Sequence, residues 1–223
     1  MAARRFVVAI TGASGTAYGR RLLECLVRGG HAVHLLVSDA AARVARHELG
    51  LELDLSDGAS VVRALLGEES PEVRYHAAGD LEAPIASGSF RHDGMAVCPC
   101  SMGSLGRIAG GISSNLLERA ADACLKERRR LVLVPRETPL SDIHLENMLR
   151  LSRAGAVILP ACPGFYGPSG RVEDLVDFIV SRTLDHLGVE NDLAPRYGGG
   201  EDGPDQRSST SSARAMPDSP ATE

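Results

Sequence analysis

Apolar residues fall into short runs, separated by longer stretches in which they recur at helical spacing. The runs Phe6-Val7-Val8-Ala9-Ile10-Thr11, Ala32 to Val37, Met95-Ala96-Val97, Leu131-Val132-Leu133-Val134 and Ala156-Val157-Ile158-Leu159 have strand length. Near-continuous aliphatic runs of this kind mark strands buried on both faces, as in parallel sheets. Between them helices are predicted from about Tyr18 to Arg28, with Leu22, Leu23, Leu26 and Val27 on one face, and from Asp39 through about Glu48. Further helices are predicted around Val61–Leu66, from Ser101 through Ile108, from Asn115 to Arg129, over 141–153 burying Ile143, Met148, Leu149 and Leu151, and over 173–187. Strands alternating with helices predict one doubly wound, mostly parallel α/β domain of Rossmann or flavodoxin-like type.

Two stretches break the pattern. Residues 71–90 carry no clear period, which predicts a lid or an oligomer contact. From about Asn191 the chain turns Gly-rich, acidic and Ser-rich to Glu223, a composition too poor in apolar surface to order itself. The expected division is therefore an α/β domain over 1–190 and a disordered tail over 191–223.

Composition narrows the function classes. A net charge of −5 over 223 residues, with 24 basic and 29 acidic side chains, does not recommend nucleic acid or an anionic membrane as partner. No apolar run approaches 18 residues and the start does not read as a signal peptide, so a cytoplasmic protein is expected. The five cysteines are an odd number spread over predicted strands and helices, and read as free thiols. Cys98-Pro99-Cys100 lacks the spacing and the neighbouring His of a zinc site.

Candidate chemistry gathers where the strands end, which is where open parallel sheets bind ligands. Gly12-Ala13-Ser14-Gly15-Thr16 links the first strand to a helix, an arrangement that aims backbone N–H groups at a phosphate. Ser14 stands where the dinucleotide fingerprint needs glycine, so the turn argues for a phosphate-bearing ligand or for a tight turn alone. Ser38 follows the second strand and reads first as a helix cap. Three later strands each stop at a proline and run into small or reactive residues: Ser101-Met102-Gly103-Ser104 after Pro99, Arg136-Glu137 after Pro135, and Cys162-Pro163-Gly164-Phe165-Tyr166 after Pro160. Lys126 points away from the apolar side of its helix, as a solvated lysine does. Arg182, four residues after Phe178 and three after Ile179, is expected on the apolar face, held by an internal salt bridge or by a phosphate.

Taken together the motifs resemble the UbiX-type flavin prenyltransferases. The matching stretches are Gly12-Ala13-Ser14-Gly15 with Tyr18-Gly19, Ile85-Ala86-Ser87-Gly88-Ser89, Pro99-Cys100-Ser101-Met102, and Asn115-Leu116-Leu117-Glu118-Arg119-Ala120-Ala121-Asp122. Others are Leu125-Lys126-Glu127-Arg128-Arg129, Arg136-Glu137-Thr138-Pro139-Leu140, Ile143-His144-Leu145-Glu146-Asn147-Met148 and Pro163-Gly164-Phe165-Tyr166. The resemblance runs from about residue 5 to 190. It implies an enzyme that binds FMN and, without a metal, joins a dimethylallyl group from dimethylallyl phosphate to N5 and C6 of the reduced flavin. The product, prenylated FMN, would serve a UbiD-type decarboxylase, and the site would lie between subunits of a homo-oligomer.

Carried over by position, the resemblance implies that Gly12, Ala13, Ser14, Ser38, Ser101, Met102, Gly103, Ser104 and Arg136 hold FMN. Lys126, Arg136, Tyr166 and Arg182 would grip the prenyl phosphate, and Glu137 would act as acid and base with Ser14 and Lys126 in catalytic roles; close cations and burial would tune Glu137. One departure stands out: Ser114 precedes Asn115 where the family commonly shows Asp. Two other functions compete. An FMN-dependent cysteine decarboxylase needs an Asn-bearing loop after the third strand, and here that loop reads Pro99-Cys100-Ser101-Met102. A non-catalytic flavin scaffold predicts that Glu137 has no chemistry to lose. Direct decarboxylation of an aromatic acid gives the phosphate-gripping residues nothing to hold.

Overall fold

The computed structural model describes residues 2–165 and 170–195. Its strands are β1 (Arg5–Ile10), β2 (Ala32–Val37), β3 (Val73–His76), β4 (Gly94–Cys100), β5 (Leu131–Pro135) and β6 (Val157–Ile158). The helices are α1 (Thr16–Arg28), α2 (Asp39–Leu49), α3 (Gly58–Leu66), α4 (Met102–Ala109), α5 (Leu116–Lys126), α6 (Asp142–Arg153) and α7 (Val172–Leu187). The strands form one sheet in the order β3-β2-β1-β4-β5-β6, every pairing parallel. The expected doubly wound α/β fold is present, and the order reverses between β1 and β4.

Alternation along the buried strands divides the core in two. Phe6, Val8, Ile10, Leu35, Ala96 and Val132 face α1, α3 and α7, meeting Leu22, Leu26, Val61, Ile179 and Leu184. Val7, Ala9, Leu36, Met95, Val97 and Leu133 face α4 and α5, meeting Leu105, Leu116 and Ala120. The apolar stripe expected on α5 is buried throughout: Leu116, Leu117, Ala120, Ala121 and Cys124 are at most 5% exposed.

Three expectations are corrected. Residues 71–90 are not structureless: Val73–His76 pairs in register with β2 as the edge strand, and Pro84–Ala86 forms a 3-10 turn that buries Ile85. An edge strand of four residues with polar members carries too short a period to stand out. On α6, Leu151 is buried, but Ile143 is 69% and Leu149 50% exposed, with Leu145 beside them at 49%. Chain order beyond 190 persists a little further, since Asn191 Nδ2 donates to Ser181 O and Asp185 Oδ1, and Leu193 packs on the core. The remainder of the expected tail, from residue 196, lies outside the described residues.

The segment after β3 is anchored by a histidine cluster. His34 Nδ1 and His76 Nε2 stand 2.7 Å apart with their rings stacked, and Phe90 meets His34 edge-on at 5.1 Å. Burial drives the His34 pKa down to about 4, with the neighbouring His76 second and Arg5 and Arg74 adding to it. Burial lowers His76 and His92 as well.

Candidate functional site

Two loops leave the sheet side by side at the reversal point, and Thr11 ties them. Its buried hydroxyl donates to Pro99 O at 2.8 Å and accepts from the Ser101 N–H at 2.7 Å, while its own N–H reaches Pro99 O. Thr11 thus fixes the Gly12–Gly15 turn against the start of α4. Gly15 takes φ +108°, which a residue with a Cβ adopts only under strain, and the Tyr18 ring lies 2.7 Å from where that Cβ would be. This lets the chain turn from β1 into α1 within five residues.

Both serine loops carry helix caps. Ser38 Oγ accepts from the Ala41 N–H at 3.1 Å, and Ser101 Oγ accepts from the Ser104 N–H at 3.2 Å while bonding the Ser104 hydroxyl at 3.0 Å. Met102 and Ser104 are buried and Gly103 is exposed, so the α4 turn presents backbone and hydroxyl rather than bulk. The third contributor arrives from β5: the Arg136 N–H reaches Cys100 O and its Nε reaches Ser14 O, each at 3.4 Å. Ser14, Ser101 and Arg136, expected to share one ligand, are therefore brought together by bonds within one chain. These groups are two serine-bearing turns, backbone N–H groups and one guanidinium, a donor set suited to an anionic ligand with a polar ring.

One member of the cluster was not legible in the sequence. Glu48, at the end of α2, accepts from the Gly15 N–H at 3.0 Å and the Thr16 N–H at 2.9 Å. Desolvation on its own raises its pKa, but the Ser14 hydroxyl and those N–H groups outweigh it and the pKa is lowered. The N-terminus of α1, read as a phosphate cradle, is thus already answered by a carboxylate of the same chain. Tyr18 also faces the site, with Cys98, Cys162, Arg136 and Glu48 around it; burial raises its pKa.

Beyond Arg136 a cavity of about 230 Å³ opens, lined by Pro135, Glu137, Leu140, Met148, Pro160 and Cys162. Glu137 stands at its exposed rim, and its Oε1 accepts from the Thr138 N–H at 3.0 Å. The burial expected to tune this carboxylate is not supplied by one chain. Leu140 at this mouth and Ile143, Leu145 and Leu149 on α6 are apolar residues 41% to 69% exposed.

The remaining expected residues do not join this cluster. Lys126 Nζ pairs with Glu127 Oε1 at 3.1 Å and lies 2.8 Å from where a Cβ on Gly88 would be, so it sits against the Ser87–Ser89 turn. Arg182 is not on the apolar face: it is half exposed and pairs with Asp185 Oδ2 at 2.9 Å. The buried stripe of α7 runs through Ile179, Val180, Thr183, Leu184 and Leu187, and Arg182 shares instead the half-buried side of Leu175 and Phe178. The ion pair it makes is an exposed one along its own helix, not the internal salt bridge expected. Tyr166 lies outside the described residues.

Sequence comparison gives this geometry a context. Residues 1–184 match the family model described as Flavoprotein. The flavin prenyltransferase UbiX of Halalkalibacterium halodurans is 51% identical over 193 residues, covering 86% of this chain and 93% of its own. Among solved structures, AnUbiX (PadA1) in complex with FMN and dimethylallyl pyrophosphate superposes with a TM-score of 0.79 at 46% identity, over 90% of this chain and all of that one. A dodecameric FMN-dependent UbiX-like decarboxylase from Escherichia coli O157:H7 gives a TM-score of 0.77 at 42% identity, over 87% of this chain and all of its own.

Proposed function

The chain belongs to the UbiX flavin prenyltransferases within the flavoprotein family, and from that premise we propose how its residues divide the work. It is a metal-independent prenyltransferase that joins a dimethylallyl group to reduced FMN and releases prenylated FMN for a UbiD-type decarboxylase. The observation that carries the division is the convergence of Ser14, Ser101 and Arg136 on one point above the sheet reversal. Gly12, Ala13, Ser14, Ser38, Ser101 to Ser104 and Arg136 hold FMN there. Bound and reduced, FMN supplies the nucleophilic N5 and C6 positions that take the prenyl unit.

The chain's own groups handle charge, protons and water. Arg136 bridges the flavin turn and the cavity, where its guanidinium meets the charge that grows on a departing phosphate. Glu137, at the cavity rim, would serve as the proton carrier there, giving a proton to the departing phosphate oxygen and taking one up from the reacting groups. Glu48 hydrogen-bonds the Ser14 hydroxyl and so restrains it in the flavin turn. Leu140, Met148 and Pro160 keep water from the allyl group.

Lys126, Tyr166 and Arg182 complete the phosphate grip, in part from a second copy of the chain. Support comes from the exposed apolar residues Leu140, Ile143, Leu145 and Leu149 near the site mouth, of the kind that a homo-oligomer would cover. The proposed compartment is the cytoplasm: all five cysteines are free thiols, and among the described residues no helix is long and apolar enough to cross a membrane.

The deciding experiment is anaerobic. Purified protein is mixed with chemically reduced FMN and dimethylallyl phosphate, with the diphosphate in a parallel sample, and the released flavin is weighed by mass spectrometry. A gain of one five-carbon unit is expected; unmodified flavin with either donor, binding having been verified, would overturn the reading.

A further inference from the structure

The end of the sheet opposite the flavin loops holds a second concave site. A cavity of about 670 Å³ opens where the strands begin, beside Arg4 and Arg5 at the start of β1, Asp93 just before β4 and Arg129 shortly before β5. Arg91 and His92 complete its polar wall. Strand β1 puts about 17 Å between this cleft and the Gly12–Gly15 turn, and none of the cleft residues is among the flavin or prenyl-phosphate contacts. Its size falls within the roughly 300–1,000 Å³ of small-ligand sites.

Four arginines line this cleft, in a chain whose net charge is −5. Neutral partners hold three of them. Arg4 Nη2 donates to Gly188 O at 2.6 Å, and its guanidinium lies over the Phe6 ring, 5.4 Å from the ring centre. Arg5 Nη1 donates to Arg91 O at 3.1 Å, with its guanidinium 5.0 Å from the centre of the Phe90 ring. Arg129 donates from Nη1 to Phe90 O at 2.7 Å and from Nη2 to Gly88 O. Carbonyls and ring faces fix a cation in place without cancelling its charge. Among the described residues none of the four arginines forms an ion pair. The one carboxylate in the lining, Asp93, accepts the Arg5 backbone N–H at 2.8 Å with its Oδ2. His92 is buried with Nδ1 toward Gly94 O, and burial lowers its pKa, so it adds no cation at neutral pH.

A concave wall of fixed like charges focuses its field on whatever enters, and each planar guanidinium fork matches two phosphate oxygens. We propose that this cleft binds an anion carrying a diphosphate group, held between Arg91 and the fixed guanidinium groups of Arg4, Arg5 and Arg129. Four cations less one carboxylate leave three positive charges, which a diphosphate answers more fully than a single phosphate ester does. Arg91 is exposed and its side chain makes no hydrogen bond among the described residues, which leaves its whole fork for the anion. The site stands apart from the flavin and prenyl-phosphate readings and does not depend on them.

The test is a calorimetric titration of the FMN-loaded protein with inorganic pyrophosphate, read for affinity and for the number bound per chain, with melting followed in parallel. Arg91→Ala is expected to weaken binding at the cleft about tenfold, and Arg91→Glu to remove one pyrophosphate per chain. Both variants should keep the parent's prenyl transfer and its melting temperature without pyrophosphate, because the Arg91 side chain supports nothing else. Lys126→Ala, at the other proposed phosphate contact, should leave the cleft's pyrophosphate bound. ADP titrated in parallel distinguishes the source of the group: tighter binding than pyrophosphate assigns a nucleoside diphosphate, equal or weaker binding a free diphosphate, and either upholds the site. An Arg91→Glu protein that binds as many pyrophosphates as the parent, as tightly, would overturn the proposal, and so would a parent that takes up none. A single pyrophosphate per chain that Lys126→Ala releases would overturn it as well, since that anion would sit in the prenyl-phosphate grip. Should Arg91→Glu not fold, Arg91→Ala decides by the same comparison of affinities.

Discussion

Ser14, Ser101 and Arg136 are drawn together by bonds inside one chain, while Lys126 rests on the Ser87–Ser89 turn and Arg182 is paired with Asp185 on α7. The flavin side grows from strand ends at the sheet reversal, where Thr11 fixes two loops rigidly. The residues proposed for the prenyl phosphate stand on helix surfaces, and on α6 Ile143, Leu145 and Leu149 remain exposed. A sheet can complete a binding turn by its own topology, whereas a site built on helix exteriors is completed by whatever covers them. On the proposed assignment, flavin binding is a property of the chain and prenyl transfer a property of an assembly.

The sharpest break in that comparison is Glu137→Gln. It removes the proton carrier without touching the loops tied by Thr11, so turnover should fall by about a thousandfold or more with FMN affinity unchanged; single-turnover rates and flavin titration check both halves. Next is Leu145→Asp, which puts a charge in the exposed apolar side of α6. Sedimentation should show smaller assemblies and turnover should drop about a hundredfold, since burying an unpaired carboxylate in an interface is costly. Lys126→Ala should raise KM for dimethylallyl phosphate about tenfold or more, through loss of one charged contact, with FMN binding unmoved.

The smallest effect concerns pH and the anchor behind the Ser87–Ser89 turn. The unfolded chain's histidines take up protons below about pH 6.5, while burial holds His34 neutral down to about 4. Arg5, Arg74 and Arg129 face the cluster as cations and Asp80 and Asp93 as anions. The unfolded state thus binds more protons across that window, so stability is full above it and falls as pH drops through it, by up to about 1.4 kcal/mol per pH unit for each proton. Melting temperatures measured down from neutral pH should show this loss, and His34→Leu should flatten it.

Legibility in the sequence follows the same divide. Strands β1, β2, β4, β5 and β6 and the loops at their ends were readable because parallel strands inside a sheet are continuous apolar runs, three of them stopping at a proline. Edge strand β3 was not, having four residues with Arg74 and His76 among them. Glu48 was hidden because its partners at Gly15 and Thr16 lie some 30 residues away and nothing local marks a charged residue late in a helix. For Arg182 the spacing from Phe178 was right, but Phe178 itself is only half buried, so the shared face was not the core face. Ile143 and Leu149 misled for the same reason: periodicity reports an apolar stripe and not whether one chain or two will cover it.

Mixed assemblies test the central claim most directly. Glu137→Gln chains, nearly inactive alone, and Lys126→Ala chains, slowed about tenfold at dimethylallyl phosphate well below KM, are unfolded, combined one to one, refolded with FMN and assayed for prenylated flavin at that substrate level. If a site takes Glu137 from one copy and Lys126 from another, random mixing restores about a quarter of the parent rate. A mixture no more active than the two variants assayed separately would mean that each chain builds its whole site alone, contradicting the account.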